Sequence, residues 1–459
     1  MVVQHNMQAA NANRMLNVTT SAQSKSTEKL SSGYRINRAA DDAAGLTISE
    51  KMRKQIRGLD QASTNAQDGV SSVQTAEGAL TEVHSMLQRM NELATQAANG
   101  TNSKDSDRQA IQDEIDQLTT EIDRVSETTK FNETYLLKGE AGTKTINMKA
   151  HDAGLKGTLT DNGDGTATFV MDSLKDGDSV SIGGKTYTIG SKKDDVVAKI
   201  TAAGQKFTVN GQEITTVDTY TDKDTEQKAG KYTVADAKAL VKDGATVKLG
   251  TDEYKVMTDK DTNGIDDTDA SVISKDVAYN LASKELLAAN QIGDTKGSAK
   301  VENTNAKAAD GSFKITTGQA DVANSLSFSL HVGADADMTN KIQVNIDAMD
   351  SASLGIKGLN VKDDSGNAAT YAVDAISDAI SKVSSQRSSL GAVQNRLEHT
   401  INNLDNVVEN TTTAESRIRD TDMAEEMVNY SKNNILAQAG QSMLAQANQS
   451  NQGVLSLLQ

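Results

Sequence analysis

The side chains that most often perform catalysis are present in this chain but do not form a recognisable catalytic set. Five histidines occur without a second histidine or a carboxylate at metal-ligand spacing: His5, His84, His151, His331 and His399. The sequence contains no HExxH, P-loop, Gly-x-Ser-x-Gly or dinucleotide-binding motif. Cysteine is absent, which excludes disulfides, thiolate metal sites and thiol nucleophiles. We therefore predict that the protein is not an enzyme and uses no cofactor.

One acidic segment, DKDTNGIDD at 259–267, begins like a calcium-binding loop. Asp259, Asp261 and Asn263 stand at the positions of the first ligands. The twelfth position holds Ala270, where a calcium loop has a glutamate that binds through both oxygens. We interpret the segment as an exposed turn and predict no metal site.

The overall charge limits the partners that this protein can have. The chain has 459 residues, a formal net charge of −16 and a pI near 4.9, which argues against nucleic acid or an anionic membrane as a partner. It contains no run of about 18 apolar residues, so we expect no membrane-spanning segment. Its first residues, MVVQHNMQAA, do not resemble a cleavable secretion signal. If the protein leaves the cell, we expect a route that needs no such signal.

The elements that position the side chains can be predicted from apolar spacing, which has a period of seven in the N-terminal part. One row is Met52, Leu59, Ala66, Val73, Leu80, Leu87 and Ala94, and a second is Ala62, Ala76, Val83, Met90 and Ala97. Paired rows at this spacing are typical of a coiled coil. The polar segment NGTNSKDS at 99–106 is expected to end this helix, and a second amphipathic helix follows it.

The C-terminal part repeats the seven-residue spacing. Its first row is Ile376, Val383, Leu390, Leu397, Leu404, Thr411 and Ile418, and a second is Ala379, Val393, Val407 and Ala414. Two apolar stripes at opposite ends of a chain are natural partners for each other, so we predict long antiparallel coiled-coil helices. The alternative is a set of ordinary amphipathic helices on a globular core. The length over which the register holds favours the coiled coil.

Between these ends the apolar period changes to two. The segment SVSIGGKTYTIG at 179–190 predicts a β-hairpin, and SLSFSLHVG at 325–333 with KIQVNIDAM at 341–349 predicts another. The predicted fold is therefore multidomain. It is mainly α at both termini, with long antiparallel helices and a β-hairpin, around a β-rich or α+β insert.

The insert also contains an internal likeness. The segment LKDGDSVSIGGKTYTI at 174–189 resembles VKDGATVKLGTDEYKV at 241–256, and a helix-like stretch lies beside each copy. Either a small α+β unit is duplicated, or two hairpins resemble each other by chance.

Both ends of the chain carry large apolar side chains that are too sparse to make a domain. In the tail these are Met423, Met427, Ile435, Leu436, Met443, Leu444, Val454, Leu455, Leu457 and Leu458. In the head they are Met7, Met15, Val18 and Leu30. Terminal segments of this kind do not order alone, so we predict that other subunits bury them. The alternative is that head and tail pair within one monomer, but a two-helix pair leaves one face of each helix exposed.

Several segments closely resemble bacterial flagellin, the subunit of the flagellar filament. They are EKLSSGYRINRAADDAAGLTISEKM at 28–52, GALTEVHSMLQRMNELATQAANGT at 78–101, SLGAVQNRLEHTINNL and AESRIRDTDMAEEMVNYSKNN. The likeness covers about 1–140 and 325–459 and leaves the middle uncovered. It implies a structural subunit that self-assembles into a helical homopolymer for motility.

The resemblance also implies a domain organisation in which different parts of the chain have different roles. Residues 1–44 and 420–459 would form an inner coiled coil that orders on polymerisation, 45–142 and 325–419 a helical rod, and 143–324 a variable surface insert of one or two α+β subdomains. Export would proceed unfolded through the flagellar type III channel, which makes the protein secreted and extracellular. Its further partners would be an export chaperone that docks on the tail and the filament cap.

Flagellins of this kind are also recognised by the host innate receptor TLR5. Matching positions here would be Gln88, Arg89, Leu93, Gln96 and Glu114. From the residues alone, the polar members of this set could equally be a solvated helix face that also serves subunit contacts.

Other functions remain open on the sequence. A hook–filament junction or cap protein shares the terminal pairing, and a filament subunit with an enzymatic insert would need a catalytic set in 143–324. A secreted coiled-coil protein that binds a receptor would not polymerise.

Overall fold

The structure is a computed structural model that describes residues 6–101, 106–303, 311–363 and 365–456, with the backbone alone for 451–456. Its helices in chain order are α1 (Met7–Ser32), α2 (Ala43–Ala97), α3 (Asp107–Thr128), α4 (Lys193–Ala198), α5 (Lys223–Lys228), α6 (Val234–Leu240), α7 (Lys275–Asn290), α8 (Ser351–Leu354), α9 (Asn367–Arg419) and α10 (Met423–Ser456). None of these described helices has the length and apolarity needed to cross a membrane.

The strands are short and lie mainly between α3 and α9. In chain order they are β1 (Lys130–Phe131), β2 (Thr134–Tyr135), β3 (Glu140–Asn147), β4 (Gly157–Asp161), β5 (Thr166–Met171), β6 (Ser179–Ile182), β7 (Lys185–Ser191), β8 (Lys206–Val209), β9 (Gln212–Val217), β10 (Lys231–Thr233), β11 (Thr246–Leu249), β12 (Asp252–Val256), β13 (Val272–Ile273), β14 (Lys300–Asn303), β15 (Ser312–Thr316), β16 (Gln319–Asn324), β17 (Leu326–His331) and β18 (Lys341–Ile346). Helical ends around a β-rich middle confirm the predicted fold class.

The chain divides into two compact units, each assembled from distant segments. The terminal unit comprises Met1–Ser71, Ser329–Val344 and Ala392–Gln459, and the central unit comprises Ser72–Phe328 and Asn345–Gly391. Both units therefore contain part of α2 and part of α9.

In the terminal unit, α2 and α9 run antiparallel. The hydroxyl of Ser49 donates to the Glu415 carboxylate at 2.7 Å, and the hydroxyl of Ser63 donates to the Asp405 carboxylate at 3.1 Å. Rising residue numbers on α2 thus meet falling numbers on α9. This is the orientation that the two seven-residue rows predict.

The predicted hairpin, β17 with β18, packs on these helices in the terminal unit. Ala66 of α2 and Leu397 of α9 are buried in one cluster with Val332 and Ile342 of the hairpin. Gly69 allows the close approach, because a β-carbon at this position would lie 2.2 Å from Cδ1 of a hairpin leucine, Leu330. Gly69 interrupts the apolar row in the sequence because the hairpin leaves no space for a larger side chain at this position.

The seven-residue rows are most completely buried in the central unit. Residues of both rows have no exposed surface there: Val73, Ala76, Leu80, Val83, Leu87, Met90, Ala94, Ala97, Ile376, Ala379, Val383 and Leu390. In the terminal unit the rows are less completely buried, since Met52 and Leu59 are only half-buried and Val407 is exposed.

Two buried polar side chains fix α3 within the central unit. The guanidinium of Arg108 is almost fully buried and donates to the carbonyl oxygens of Ala97 at 2.9 Å and Asp363 at 2.7 Å. The side-chain oxygen of Gln112 accepts from the amide of Val361 at 2.8 Å. These bonds join the start of α3 to the end of α2 and to the segment before α9.

The insert is built on an eight-stranded sheet in the order β10-β9-β8-β11-β12-β7-β13, with β6 paired to β7. The two segments that resemble each other form the hairpins β6–β7 and β11–β12, and β12 pairs in parallel with β7. The predicted hairpin at 179–190 is therefore present. The two copies are neighbours in one sheet rather than separate units.

A third hairpin of the same form, β8–β9, lies in this sheet beside β11. The facing apolar pairs of the three hairpins are Val180 with Tyr187, Val247 with Tyr254, and Phe207 with Ile214. In the third pair the aromatic residue is on the first strand rather than the second, so the sequence of this hairpin does not resemble the other two.

A second core in the central unit lies under the sheet β14-β15-β5-β4 and α7. Phe169 and Phe313 stack there with ring centroids 6.3 Å apart. The whole insert leaves the helical region along β3 and returns along β16, which pair antiparallel. At their far end the amide of Met148 donates to the carbonyl of Gly318 at 2.8 Å.

Candidate functional site

The head and the tail of the chain form an antiparallel pair of helices, α1 with α10. Near one end, Asn6 donates to the carbonyl of Ala447 at 3.2 Å, and near the other the Lys29 ammonium lies 3.8 Å from a Glu426 carboxylate oxygen. Between them, Gly440 lets α10 approach Leu16 closely. We name α1 and α10 together the terminal pair.

The orientation of the terminal pair is set where α1 ends and α10 begins, next to the rest of the unit. The amide of Arg35 donates to the carbonyl of Arg419 at 2.7 Å, and the amide of Thr421 donates to the carbonyl of Gly33 at 3.0 Å. The Arg419 guanidinium lies over the Tyr34 ring at 4.6 Å. Gly33 ends α1 with φ +77, a left-handed conformation that glycine adopts without strain. Both helices therefore extend away from this junction on the same side, with opposite chain directions.

The terminal pair buries little of its apolar surface. Among the residues whose side chains are described, nine large apolar side chains of α1 and α10 are exposed: Met7, Met15, Val18, Met423, Met427, Val428, Ile435, Leu436 and Met443. By contrast, Ala437 is buried, and Gly440 lies where α10 contacts Leu16. The pair thus leaves most of its large apolar side chains exposed.

The exposed apolar residues point in more than one direction. Met427 and Val428 are consecutive, as are Ile435 and Leu436, and consecutive helical residues project about 100° apart. A helix that is apolar on several sides is normally buried on several sides. The exposed apolar residues therefore cover a wide sector of α10.

Most of the predicted assembly residues lie on this exposed surface. Leu30 and Leu444 are half-buried. The side chains of Val454 and Leu455, and all of Leu457 and Leu458, lie outside the described residues. Val428 was not among the predicted residues, although its place directly after Met427 was an available signal.

The predicted receptor patch lies on α2 and α3 in the central unit. Gln88, Arg89, Gln96 and Glu114 are exposed, and Leu93 is 2% exposed. The family resemblance groups these five residues, but the Leu93 side chain is buried within the unit. It can act on a partner only through the position of its neighbours.

An ion-pair network organises the polar part of the patch. Nε of Arg89 donates to the Glu114 carboxylate at 2.9 Å, and Nη1 donates to the Glu92 carboxylate at 3.1 Å. The hydrogen bond to Glu114 is the main cause that raises the pKa of Arg89 further above its usual value. Gln88 and Gln96 line a shallow groove that Ile380 of α9 borders. The patch therefore presents a fixed guanidinium between two carboxylates beside a small apolar edge.

The calcium-like segment folds as a turn whose acceptors are already occupied. The Asp259 carboxylate accepts the amides of Asn263 at 3.0 Å and Gly264 at 3.0 Å, and the Asp261 carboxylate accepts from the Asn263 side chain at 2.7 Å. In the part of the chain that the structure describes, no group of three histidine or carboxylate side chains could hold a metal ion.

Comparison with known proteins matches both ends of the chain to family models. Residues 3–142 match the bacterial flagellin N-terminal helical region, and residues 373–458 match the bacterial flagellin C-terminal helical region.

Whole-chain relatives carry related names. The chain is 40% identical to "Flagellin" of Clostridium tyrobutyricum, over 98% of this chain and 100% of the relative. It is 38% identical to "Flagellin" of Bacillus subtilis, over 100% of both chains. It is 36% identical to "Polar flagellin A" of Vibrio parahaemolyticus, over 99% of both chains. Among solved structures, FliC from Burkholderia pseudomallei overlaps 72% of this chain and 99% of its own at 20% identity, but its TM-score of 0.25 is too low to support an argument.

Proposed function

Because the chain belongs to the bacterial flagellin family and is a structural subunit of the flagellar filament, we propose that its terminal pair supplies the contacts that hold the polymer together. The observation that carries this proposal is the ring of large apolar side chains around α1 and α10. Covering nine such side chains, each already partly buried, contributes on the order of 10 kcal/mol per subunit as an upper bound. That energy is gained only when other subunits surround the pair.

The domain organisation follows from this role. Residues 1–44 and 420–459 form the inner core of the filament and become fully ordered as the subunit adds. Residues 45–142 and 325–419 form the rod around that core, and 143–324 form the outer surface. The burial of the seven-residue rows in the central unit supports this assignment for the residues there, since that part of the seam is closed within the subunit.

Seeded polymerisation tests the core of the proposal. Depolymerised protein is mixed with short filaments and followed by sedimentation and electron microscopy, for the full chain and for a version that ends at residue 453. The full chain should extend the seeds and the shortened chain should not. A variant of an exposed apolar residue in the insert, Val170→Gln, should polymerise like the full chain. Equal polymerisation of the shortened chain would contradict a role for the C-terminal apolar residues.

We further propose that the tail binds an export chaperone before assembly and that the unfolded chain is secreted through the flagellar channel to the filament cap. The absence of cysteine and proline supports threading, because neither disulfides nor slow X-Pro isomerisation can delay unfolding and refolding. Capture of the chaperone by the full chain, and its loss when Ile435 and Leu436 are replaced by glutamine, would support this step. Unchanged capture by that variant would contradict it.

We also propose that the receptor TLR5 recognises the patch on α2 and α3. A receptor reporter assay tests this with Arg89→Ala, which removes the guanidinium held by Glu92 and Glu114. The matched control is Arg124→Ala, since Arg124 is an exposed arginine of α3 that pairs with Glu121 within its own helix. Signalling should fall for the first variant alone. Equal signalling by both variants, with unchanged helix content, would refute the patch.

A further inference from the structure

The sulfur atoms of this protein are unevenly placed. The chain has 14 methionines and no cysteine, so its methionines are the only sulfur atoms that an oxidant can reach. Six of them are between 48% and 74% exposed: Met7, Met15, Met338, Met423, Met427 and Met443. Five others are at most 8% exposed: Met90, Met148, Met171, Met257 and Met349. Five of the six exposed methionines lie on the terminal pair.

We propose that Met7, Met15, Met423, Met427 and Met443 form an oxidation site, at which a peroxide converts the thioethers to sulfoxides and prevents the free subunit from polymerising. In each reaction the O–O bond of hydrogen peroxide breaks and a sulfur–oxygen bond forms. The sulfur loses two electrons, and the peroxide is reduced to water. The inference rests on the proposed function of the terminal pair in assembly.

The position of these methionines makes the effect selective for assembly. A sulfoxide is polar and chiral, whereas the thioether is flexible and apolar. In the free subunit the five side chains already face solvent, so oxidation places no polar group in a buried core. In the polymer the same side chains are covered by neighbours, and a buried sulfoxide without a hydrogen-bond partner is unfavourable. Oxidised subunits are therefore excluded, while subunits that are already assembled are protected.

Neighbouring residues show that the apolar contact itself does not require methionine. Ile435 and Leu436 occupy the same exposed surface with side chains that peroxide does not oxidise. Leucine at the five methionine positions should thus preserve assembly and abolish the response to the oxidant. Met338 supplies a control, because it is the most exposed of these methionines but lies at the tip of the β17–β18 hairpin, outside the terminal pair.

The experiment treats depolymerised full-length protein with graded hydrogen peroxide. Peptide mass spectrometry locates each sulfoxide, circular dichroism follows helix content, and seeded sedimentation gives the critical concentration. The exposed methionines should oxidise before the buried ones, and the critical concentration should rise roughly tenfold or more at constant helix content. Methionine sulfoxide reductases should restore polymerisation. In intact filaments the five methionines should oxidise more slowly than in the free subunit.

Two variants separate the possible failures. The fivefold leucine variant should polymerise normally after peroxide, whereas Met338→Leu should remain sensitive. If the fivefold leucine variant loses polymerisation to peroxide as the unmodified chain does, the inference is wrong. Equal oxidation rates in filaments and free subunits would also overturn it. A fivefold glutamine variant tests the underlying function: if it polymerises normally, the terminal pair does not drive assembly, and if it fails while peroxide has no effect, the oxidation site alone is refuted.

Discussion

The couple Ile435 and Leu436 on α10 offers a quantitative test of how the terminal pair acts. Ile435 is 66% exposed and Leu436 is 47% exposed, so neither side chain contributes much to the folded subunit. Full burial of such a side chain contributes about 1.5–3 kcal/mol, and scaling by the exposed fractions gives about 2–3 kcal/mol for covering the couple. Replacing both with glutamine should remove this contribution from each subunit addition.

The critical concentration for seeded growth measures that loss directly. A change of about 2–3 kcal/mol corresponds to a rise of roughly 30- to 150-fold in the critical concentration, because each 1.4 kcal/mol is about tenfold. The melting temperature of the free subunit should not change, since exposed positions of this kind affect folding by less than about 0.5 kcal/mol. Val170→Gln is the matched control, because Val170 is an apolar residue of the insert with 44% exposure, close to the 47% of Leu436. An unchanged critical concentration for the double variant would refute the reasoning, and so would a destabilised monomer.

Three other substitutions test the interior of the units. Gly69→Ala should destabilise the terminal unit by about 1–3 kcal/mol in denaturant titrations, because the new methyl group meets the hairpin. Gly78→Ala, in the same helix, is the control. Its methyl group meets nothing within 4 Å, so it should stabilise the protein by about 0.5–1 kcal/mol. Arg108→Met should cost about 3 kcal/mol by leaving buried carbonyl oxygens without a donor, while Arg124→Met, at an exposed ion pair, should leave the melting temperature unchanged. Burial and the adjacent Glu285 carboxylate raise the pKa of Tyr371 above its usual value near 10. Tyr371→Phe should therefore lower the free energy of unfolding at neutral pH. The difference in unfolding free energy between the wild type and this variant should shrink above pH 10, where the unfolded wild-type tyrosine loses its proton first.

The helical part of the fold could be predicted from sequence because its physical signal is local and periodic. A residue such as Leu80 or Leu390 recurs at the seven-residue spacing that places it in the seam, and both are fully buried. The seven-residue spacing does not predict where the side chains of a row become exposed. Val407 continues the second row but is exposed, whereas Leu397 is buried in a cluster with the hairpin.

The insert was less predictable because its contacts join distant segments. Two hairpins were recognisable from alternating residues, but the third, with Phe207 facing Ile214, exchanges the large and small partners and so conceals the repeat. Nor could spacing reveal Arg108, whose role depends on carbonyl oxygens from two other segments. An arginine in the first turn of an acidic helix gives no sign in sequence that it will be buried.

Exposure of the candidate sites was the hardest property to infer. Sequence likeness groups Leu93 with Arg89 and Glu114, yet the leucine is buried while the charged pair is exposed. Adjacent helical positions point in different directions, and only the packing of α2 against its neighbours decides which direction is inside.

The antiparallel pairing of β3 with β16 has a consequence for how the chain can change length. Since Met148 and Gly318 are joined by a backbone hydrogen bond, the 169 residues between them form a loop that closes on itself. The free energy of closing a loop rises only slowly with its length, by about 0.6 kcal/mol for each doubling. A short turn, a smaller domain or a foreign antigen with adjacent termini could occupy this place. The insert is thus a replaceable module, and new inserts can arise by insertion and deletion while the long helices stay the same.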